Sequence, residues 1–436
     1  MIIMQRYFQF SEKGTSYRTE ILAGLTTFLT MAYIIVVNPA ILEAAGIPKG
    51  PSMTATILSA AFGTLIMGVI AKRPFAIAPY MGENAFIAFT VVKVLGYTWQ
   101  VALGAIFLAG LAFTVLTVLR VRGWLAEVIP LNLKYAFTVG IGLFLTFIGL
   151  NESGVVSLGV PGSPVCLGNL SSPSTLLAIA GFFLIAILTA KRVHGALIIG
   201  ILAVTSASIV LGLTALPQSF VSLPPSPAPI LGQLDISGAL SIKALPVVLI
   251  VFVMAFVDTI GTLIGLSARA GLLDEKGNLP NIEKPLLADA LANIISPLLG
   301  TTTSGAYIES ASGIEEGGRT GFTAVVVALF FLLALFFTPI LTVTPPQAYG
   351  PVLVLIGCFM IKSAAKIDFE DFTELVPAFL TLSLISFTYN IGVGITAGLI
   401  VYPLLKLTTG RVSEVPKALW ILAAVSLLFY IVYPYH

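Results

Sequence analysis

Apolar runs of about 20 residues, each long enough to cross the hydrocarbon core of a bilayer, follow one another along the chain with short polar interruptions. Read in order, they predict spans near 20–43, 52–71, 83–96, 98–119, 131–150, 173–190 and 195–215. A second set follows near 242–268, 284–300, 306–317, 321–342, 350–363, 373–388 and 390–407. A last apolar stretch, 418–434, is read as an additional span or an interfacial helix. The longest loop, LPQSFVSLPPSPAPILGQLDISG, is proline-rich, carries no Lys or Arg, and divides the two sets. The predicted organisation is therefore a first seven-span repeat (1–215), a connector outside the cytoplasm (216–240), a second repeat (241–408) and a C-terminal apolar segment (409–436).

Composition agrees with this pattern. The chain is 57% hydrophobic and 10% charged, with a mean hydropathy of +1.03, whereas a soluble domain has about 25% charged residues. The fold class is an all-α polytopic membrane protein. A net charge of +2 argues against nucleic acid as a partner. The N-terminus lacks the apolar core and cleavage site of a signal peptide, so the first span is expected to insert uncleaved. The two cysteines, Cys166 and Cys358, have no framework around them and are expected to stay unpaired.

Basic residues set the orientation. With the N-terminus inside, the cytoplasmic clusters are Arg6/Lys13/Arg18, Lys72/Arg73, Arg120/Arg122/Lys134, Lys191/Arg192, Arg269/Lys276/Lys284, Arg319, Lys362/Lys366 and Lys406/Arg411/Lys417. Only Lys49, Lys93 and Lys243 of the 22 basic residues then fall on or near the other side, the asymmetry that cytoplasmic loops show.

Seven spans is an odd number, so the second set enters the membrane inverted. Local similarity supports a repeat: FLTMAYIIVVNPAILEAAGI resembles VMAFVDTIGTLIGLSARAGL, and each is followed by a span and then by a broken one. The broken spans contain APYMGENA in the first half and SGAYIESA in the second.

Glycine- and proline-broken backbone at membrane depth must be buried in protein or line a cavity. Discontinuous helices in matching positions of two inverted halves point to a transporter's midplane site, where the freed N–H groups and half-helix ends meet a ligand. Polar residues gather at the same depth. Asp258 lies in VLIVFVMAFVDTIGTLIG with apolar sequence on both sides, and an intramembrane carboxylate is a functional candidate by default. Glu309 follows the second break, and Asn84 follows the first with both a donor and an acceptor. Glu83 adjoins Asn84; Tyr80 and Tyr307 offer aromatic walls at the two breaks. Asp289 and Asn293, at i and i+4 on the ninth span, are placed to brace the broken span beside them. Glu315, Glu316 and Arg319 read as a solvated salt-bridge cluster. No Walker A motif, metal-ligand pattern or nucleophile elbow is present, so no cofactor and no enzymatic activity are expected.

The motifs APYMGENAFIAFT, FVDTIGTLIG and GAYIESASGIEEGGRTGFTAVV resemble those of the AzgA-like purine permeases, members of the nucleobase:cation symporters, and the resemblance runs from about residue 15 to 408. One departure stands out: the family's usual Gly-Met-Gly-Leu-Asn-Ala reads Tyr80-Met81-Gly82-Glu83-Asn84-Ala85. By this resemblance, and by that to the related uracil:proton symporters, the chain has fourteen spans as a 7+7 inverted repeat with core and gate domains. Short strands and half-helices of spans 3 and 10 then meet in mid-membrane. The resemblance also makes Asp258 and Glu309 the acids that hydrogen-bond the base and couple to a proton, with sodium left open. Thr262 lies one turn from Asp258, and the backbone amides at Tyr307 and Ile308 face the ligand. The partners implied are a purine nucleobase and the lipid bilayer of the cell membrane, with a homodimer left open. Adenine, guanine, hypoxanthine and xanthine are not separated. The alternatives are transport of uracil or a small anion on the same fold, and an intramembrane enzyme acting on lipid.

Overall fold

The computed structural model describes residues 2–119, 128–160, 163–217, 219–272 and 279–432. Arg120, Arg122 and Lys276 of the basic clusters lie outside the described residues. Span 1 comprises two helices, Tyr17–Met31 and Ile34–Ala44, and span 2 is Lys49–Val69. Span 3 is strand β1 (Ile77–Pro79), a short helix (Met81–Ala85) and a π-helical stretch (Phe86–Val94). Spans 4 to 7 are Trp99–Val118, Leu131–Glu152, Pro173–Ala190 and Ala196–Val210, with an exposed hairpin, β2 (Val156–Val160) and β3 (Ser163–Leu167), between spans 5 and 6.

The second half repeats this order. Spans 8 and 9 are Leu245–Arg269 and Glu283–Leu299, and span 10 is strand β4 (Ser304–Ala306) followed by the half-helix Ser310–Glu315. Span 11 starts with Gly321–Ala334 and ends with Thr338–Thr342; spans 12 to 14 are Pro346–Met360, Phe372–Phe387 and Ile391–Thr408. Among the described residues nine helices are long and apolar enough to cross a membrane; the other spans are broken or shorter. The C-terminal helix, Lys417–Val432, packs along span 14 and also touches span 8.

Packing reveals the repeat that sequence similarity only suggests. Span 2 packs on span 11, and span 4 on span 9. Span 1 also meets span 11, as span 8 meets span 4; span 5 meets span 13, as span 12 meets span 6. Moving each span by seven places converts every one of these pairs into its partner pair, and the 3·10 and 5·12 contacts map onto themselves. This exchange is what a two-fold relation between inverted halves produces. It also separates a core (spans 1–4 and 8–11) from a gate (spans 5–7 and 12–14).

Three local features depart from the sequence reading. Span 1 is not continuous but turns at Ala32–Tyr33. Span 3 winds as a π-helix after its half-helix, a rare form frequent at functional sites. Between spans 5 and 6, where the sequence reading places no element, β2 and β3 pair as a hairpin. Cys166 and Cys358 are free, as expected.

Candidate functional site

The centre of the core is a two-stranded antiparallel ladder, Ile77↔Ala306, Ala78↔Gly305 and Pro79↔Ser304. It is lengthened at each end, where Tyr80 N–H donates to Thr303 O and Tyr307 N–H donates to Ala76 O, both at 2.9 Å. Pro79 has no N–H to give, and Pro74 discourages helix before the strand. A two-stranded sheet has two unpaired edges, which hydrocarbon does not tolerate. Side chains of spans 2 and 9 fill them. Ile77 N–H donates to Thr64 Oγ1 at 2.8 Å, and that hydroxyl donates back to Ile77 O at 2.9 Å. Across the sheet, Ser304 N–H donates to Asn293 Oδ1 at 3.0 Å, and Asn293 Nδ2 to Ser304 O at 2.7 Å. Ala306 N–H donates to Asp289 Oδ1 at 2.8 Å. The i, i+4 pair on span 9 therefore does brace the broken span.

Past the ladder the chain turns into the two half-helices, and the candidate residues divide into an open and a sealed group. The open group lines one face of span 8 and the second break. Asp258 and Thr262 are partly exposed, and Gly261 and Gly265 share their face. A methyl at Gly261 would meet nothing within 4 Å, and one at Gly265 would reach Ile308 Cδ1 at 3.9 Å. Ile308 is 51% exposed, and Glu309 beside it is partly exposed, its Oε1 accepting from the Tyr33 hydroxyl at 2.7 Å. Span 8 and the half-helix of span 10 touch, and each leaves one carboxyl partly exposed. Of the two backbone amides expected there, that of Tyr307 is engaged in the ladder, while that of Ile308 takes no part in it.

The sealed group lies behind. Glu83 and Asn84 are fully buried, and Tyr80 and Tyr307 nearly so. The two tyrosine rings are almost parallel, 11° apart in plane with centroids separated by 6.3 Å. Tyr80 lies over Gly305, where any Cβ would collide with the phenol; this strand position requires glycine. The Tyr80 hydroxyl pairs with Thr259 Oγ1 at 3.3 Å, Thr259 donates to Asp289 Oδ2, and Tyr307 donates to Pro79 O. Asn84 Nδ2 donates to Asn38 Oδ1 at 2.9 Å. Asn38 in turn donates to Thr56 and Thr301 at 2.8 and 2.9 Å, tying spans 1, 2 and 3 to the segment before β4. Among the described residues no donor meets either oxygen of Glu83; the ionisable groups that act on it are the carboxyls of Asp258 and, more weakly, Asp289.

Three residues escaped the sequence reading. Tyr33, which holds Glu309, sits at a break with no glycine or proline beside it. Thr259 looked like any span threonine. Asn38, in VVNPA, had a usable signal, since Asn-Pro inside an apolar run marks irregular backbone.

Known proteins agree with the geometry. A solved structure of the transmembrane domain of a cyanobacterial bicarbonate transporter, BicA, superposes with a TM-score of 0.63 over 87% of this chain and 97% of that one, at 15% identity. Likeness at that identity concerns fold alone. Adenine permease AdeP of Escherichia coli is 41% identical over 98% of this chain and 95% of its own length. Guanine/hypoxanthine permease PbuG of Bacillus subtilis is 41% identical over 98% and 99%. The family model Xan_ur_permease, described as "Permease family", matches residues 18–401. With its ladder, half-helices and inverted halves, this chain belongs to that permease family, in its AzgA-like purine permease branch, and is a multi-pass membrane protein and not an enzyme.

Proposed function

We propose that the chain is a secondary active transporter that imports a purine nucleobase by proton symport, through alternating access of the core against the gate. The observation that carries this reading is that Asp258 and Glu309, on touching spans beside the crossing of the two broken ones, are both partly exposed; the crevice between them is where we place the ligand. A planar base in the crevice would donate its ring N–H groups to Asp258 and Glu309, with Thr262 and the Ile308 amide as further partners. Tyr80 and Tyr307, nearly buried, would back the site from the sealed side, as Asn84 and Glu83 would back the first half-helix. Family membership supports the reading, since relatives of equal identity are named for adenine and for guanine/hypoxanthine.

Protonation of a carboxyl on the outer side neutralises the loaded core, which lowers the cost of carrying it through low dielectric. Release of base and proton inside resets the core. The N-terminus is assigned to the cytoplasm of the cell membrane from the Lys/Arg asymmetry, and the division at 1–215, 216–240, 241–408 and 409–436 is kept as the domain scheme. Anion transport on the same fold is disfavoured because the groups acting on Asp258 and Glu309 are an acid and a phenol, with no cation among them.

The test is uptake of labelled purines and uracil in cells lacking their own permeases, with and without a protonophore. Accumulation of a purine that the protonophore abolishes supports the symporter. Inserted protein that moves no nucleobase rejects the reading.

A further inference from the structure

A glycine inside a membrane helix is ordinarily explained by packing, since a missing side chain lets two backbones approach. That account holds nearly throughout the described helices. Every helical glycine outside span 8 would set a Cβ within 3.3 Å of another residue, as Gly110 would against Asn293 O at 2.6 Å. The two on span 8 differ. Gly265 would reach only Ile308 Cδ1, at 3.9 Å, an ordinary van der Waals contact with the second break. Gly261 would meet nothing within 4 Å. Yet it lies well inside the helix Leu245–Arg269, where glycine weakens the helix relative to alanine. Nothing in the protein asks for a glycine at 261.

Its place on span 8 says what does. Asp258, Gly261, Thr262 and Gly265 stand at i, i+3, i+4 and i+7, one face of a helix. Before Asp258 that face is closed: Val247, Val251 and Met254 are 3% exposed or less. From Asp258 toward Arg269 it is open, with Gly261 exposed and Asp258, Thr262 and Gly265 partly so. A carboxyl one turn from Gly261 does not belong on a surface that faces lipid. We propose, on the basis of the purine-transport reading above, that Gly261 is a steric determinant of specificity: the ring of the base lies against span 8 at Gly261, with its polar edge on Asp258. A side chain at 261 then meets the ligand before it meets the protein. At Gly265 the order is reversed, because Ile308 already lies there.

The experiment measures direct binding of labelled adenine, guanine, hypoxanthine and xanthine to purified protein, with thermal unfolding of the same samples, for wild type, Gly261→Ala, Gly261→Val and Gly265→Ala. For whichever base the wild type binds, Gly261→Ala is expected to raise Kd by about tenfold and Gly261→Val by about 100-fold, as one and then three carbons are forced into occupied space. Gly265→Ala should change Kd by less than about threefold. Gly261→Ala should unfold at the wild-type temperature or above, because the helix gains and nothing is displaced. Weaker binding by a protein no less stable is a result that a merely structural glycine does not give. A Kd unchanged in both Gly261 variants overturns the proposal, whether uptake in cells is kept, as for a residue facing lipid, or lost, as for a contact made with the gate in another state. A clear fall in the unfolding temperature of Gly261→Ala overturns it as well, since packing would then require the glycine. A wild type that binds none of the four bases overturns the purine-transport reading itself, an outcome distinct from any change between variants.

Discussion

The two breaks of the core are built alike and used differently. Each is a three-residue strand, braced from a neighbouring span and leading into a half-helix of five or six residues. Thr64 does for β1 what Asn293 does for β4, one hydroxyl against one amide. Beyond the strands the likeness ends. The acid and amide of the first break, Glu83 and Asn84, are sealed in protein, whereas Glu309 of the second is partly exposed, as is Asp258 on the span beside it. Symmetry thus supplies the scaffold, and side chains assign one half to contact and the other to support.

This contrast is broken most severely at the open acids. Asp258→Asn and Glu309→Gln each remove a charge-assisted partner of the ligand, worth about 1.5–3 kcal/mol, and also any proton carried there. Uptake is expected to fall by about 100-fold or more in each, measured as initial rates at equal expression. Uptake that survives both would place the site elsewhere while leaving the fold intact.

Next come the braces, where the two breaks should behave alike. Asn293→Leu strands the N–H and C=O of Ser304, and Thr64→Val strands those of Ile77. Each buried orphan costs about 1–3 kcal/mol, so each variant, with two of them, should lose about 2–6 kcal/mol of stability. Thermal unfolding in detergent reads this directly. A large loss for one and none for the other would show that the strands are not equivalent.

How much of this the sequence displayed follows the same division. Long apolar periods and the glycine and proline breaks mark the spans and the crossing, because hydrocarbon forbids unpaired backbone almost everywhere else. Asp258 and Glu309 stood out for the same reason: a carboxyl in a span is expensive. The bracing by Asp289 and Asn293 was legible from their i, i+4 spacing. Sealed and open were not. Whether Glu83 faces lipid, ligand or another acid depends on which helix packs against it, and nothing local to YMGENA encodes the proximity of residue 258. Tyr33 was hidden for a similar reason, since its partner is 276 positions away and tyrosines are ordinary in spans. The π-helix after Ala85 left no mark, its sequence FIAFTVVKV being about as apolar as the α-helical spans 8 and 14.

The smallest effects sharpen the comparison best, because they touch hydroxyls alone. Tyr33→Phe removes the donor that fixes Glu309 and leaves the ring, which is 2% exposed, in place. Losing one hydrogen bond to a charged or partly charged acid costs about 1.5 kcal/mol, so apparent affinity should weaken by about tenfold with little change in stability. Tyr80→Phe removes a hydroxyl whose pairing with Thr259 is 3.3 Å long, near the limit of a useful hydrogen bond, and no more than about a threefold change is expected. Direct binding of a labelled purine to purified protein measures both. If Tyr80→Phe proves the more damaging, the first break touches the ligand after all, and the assignment of contact to one half and support to the other fails. The order Tyr33 above Tyr80 is what an open second break and a sealed first one require.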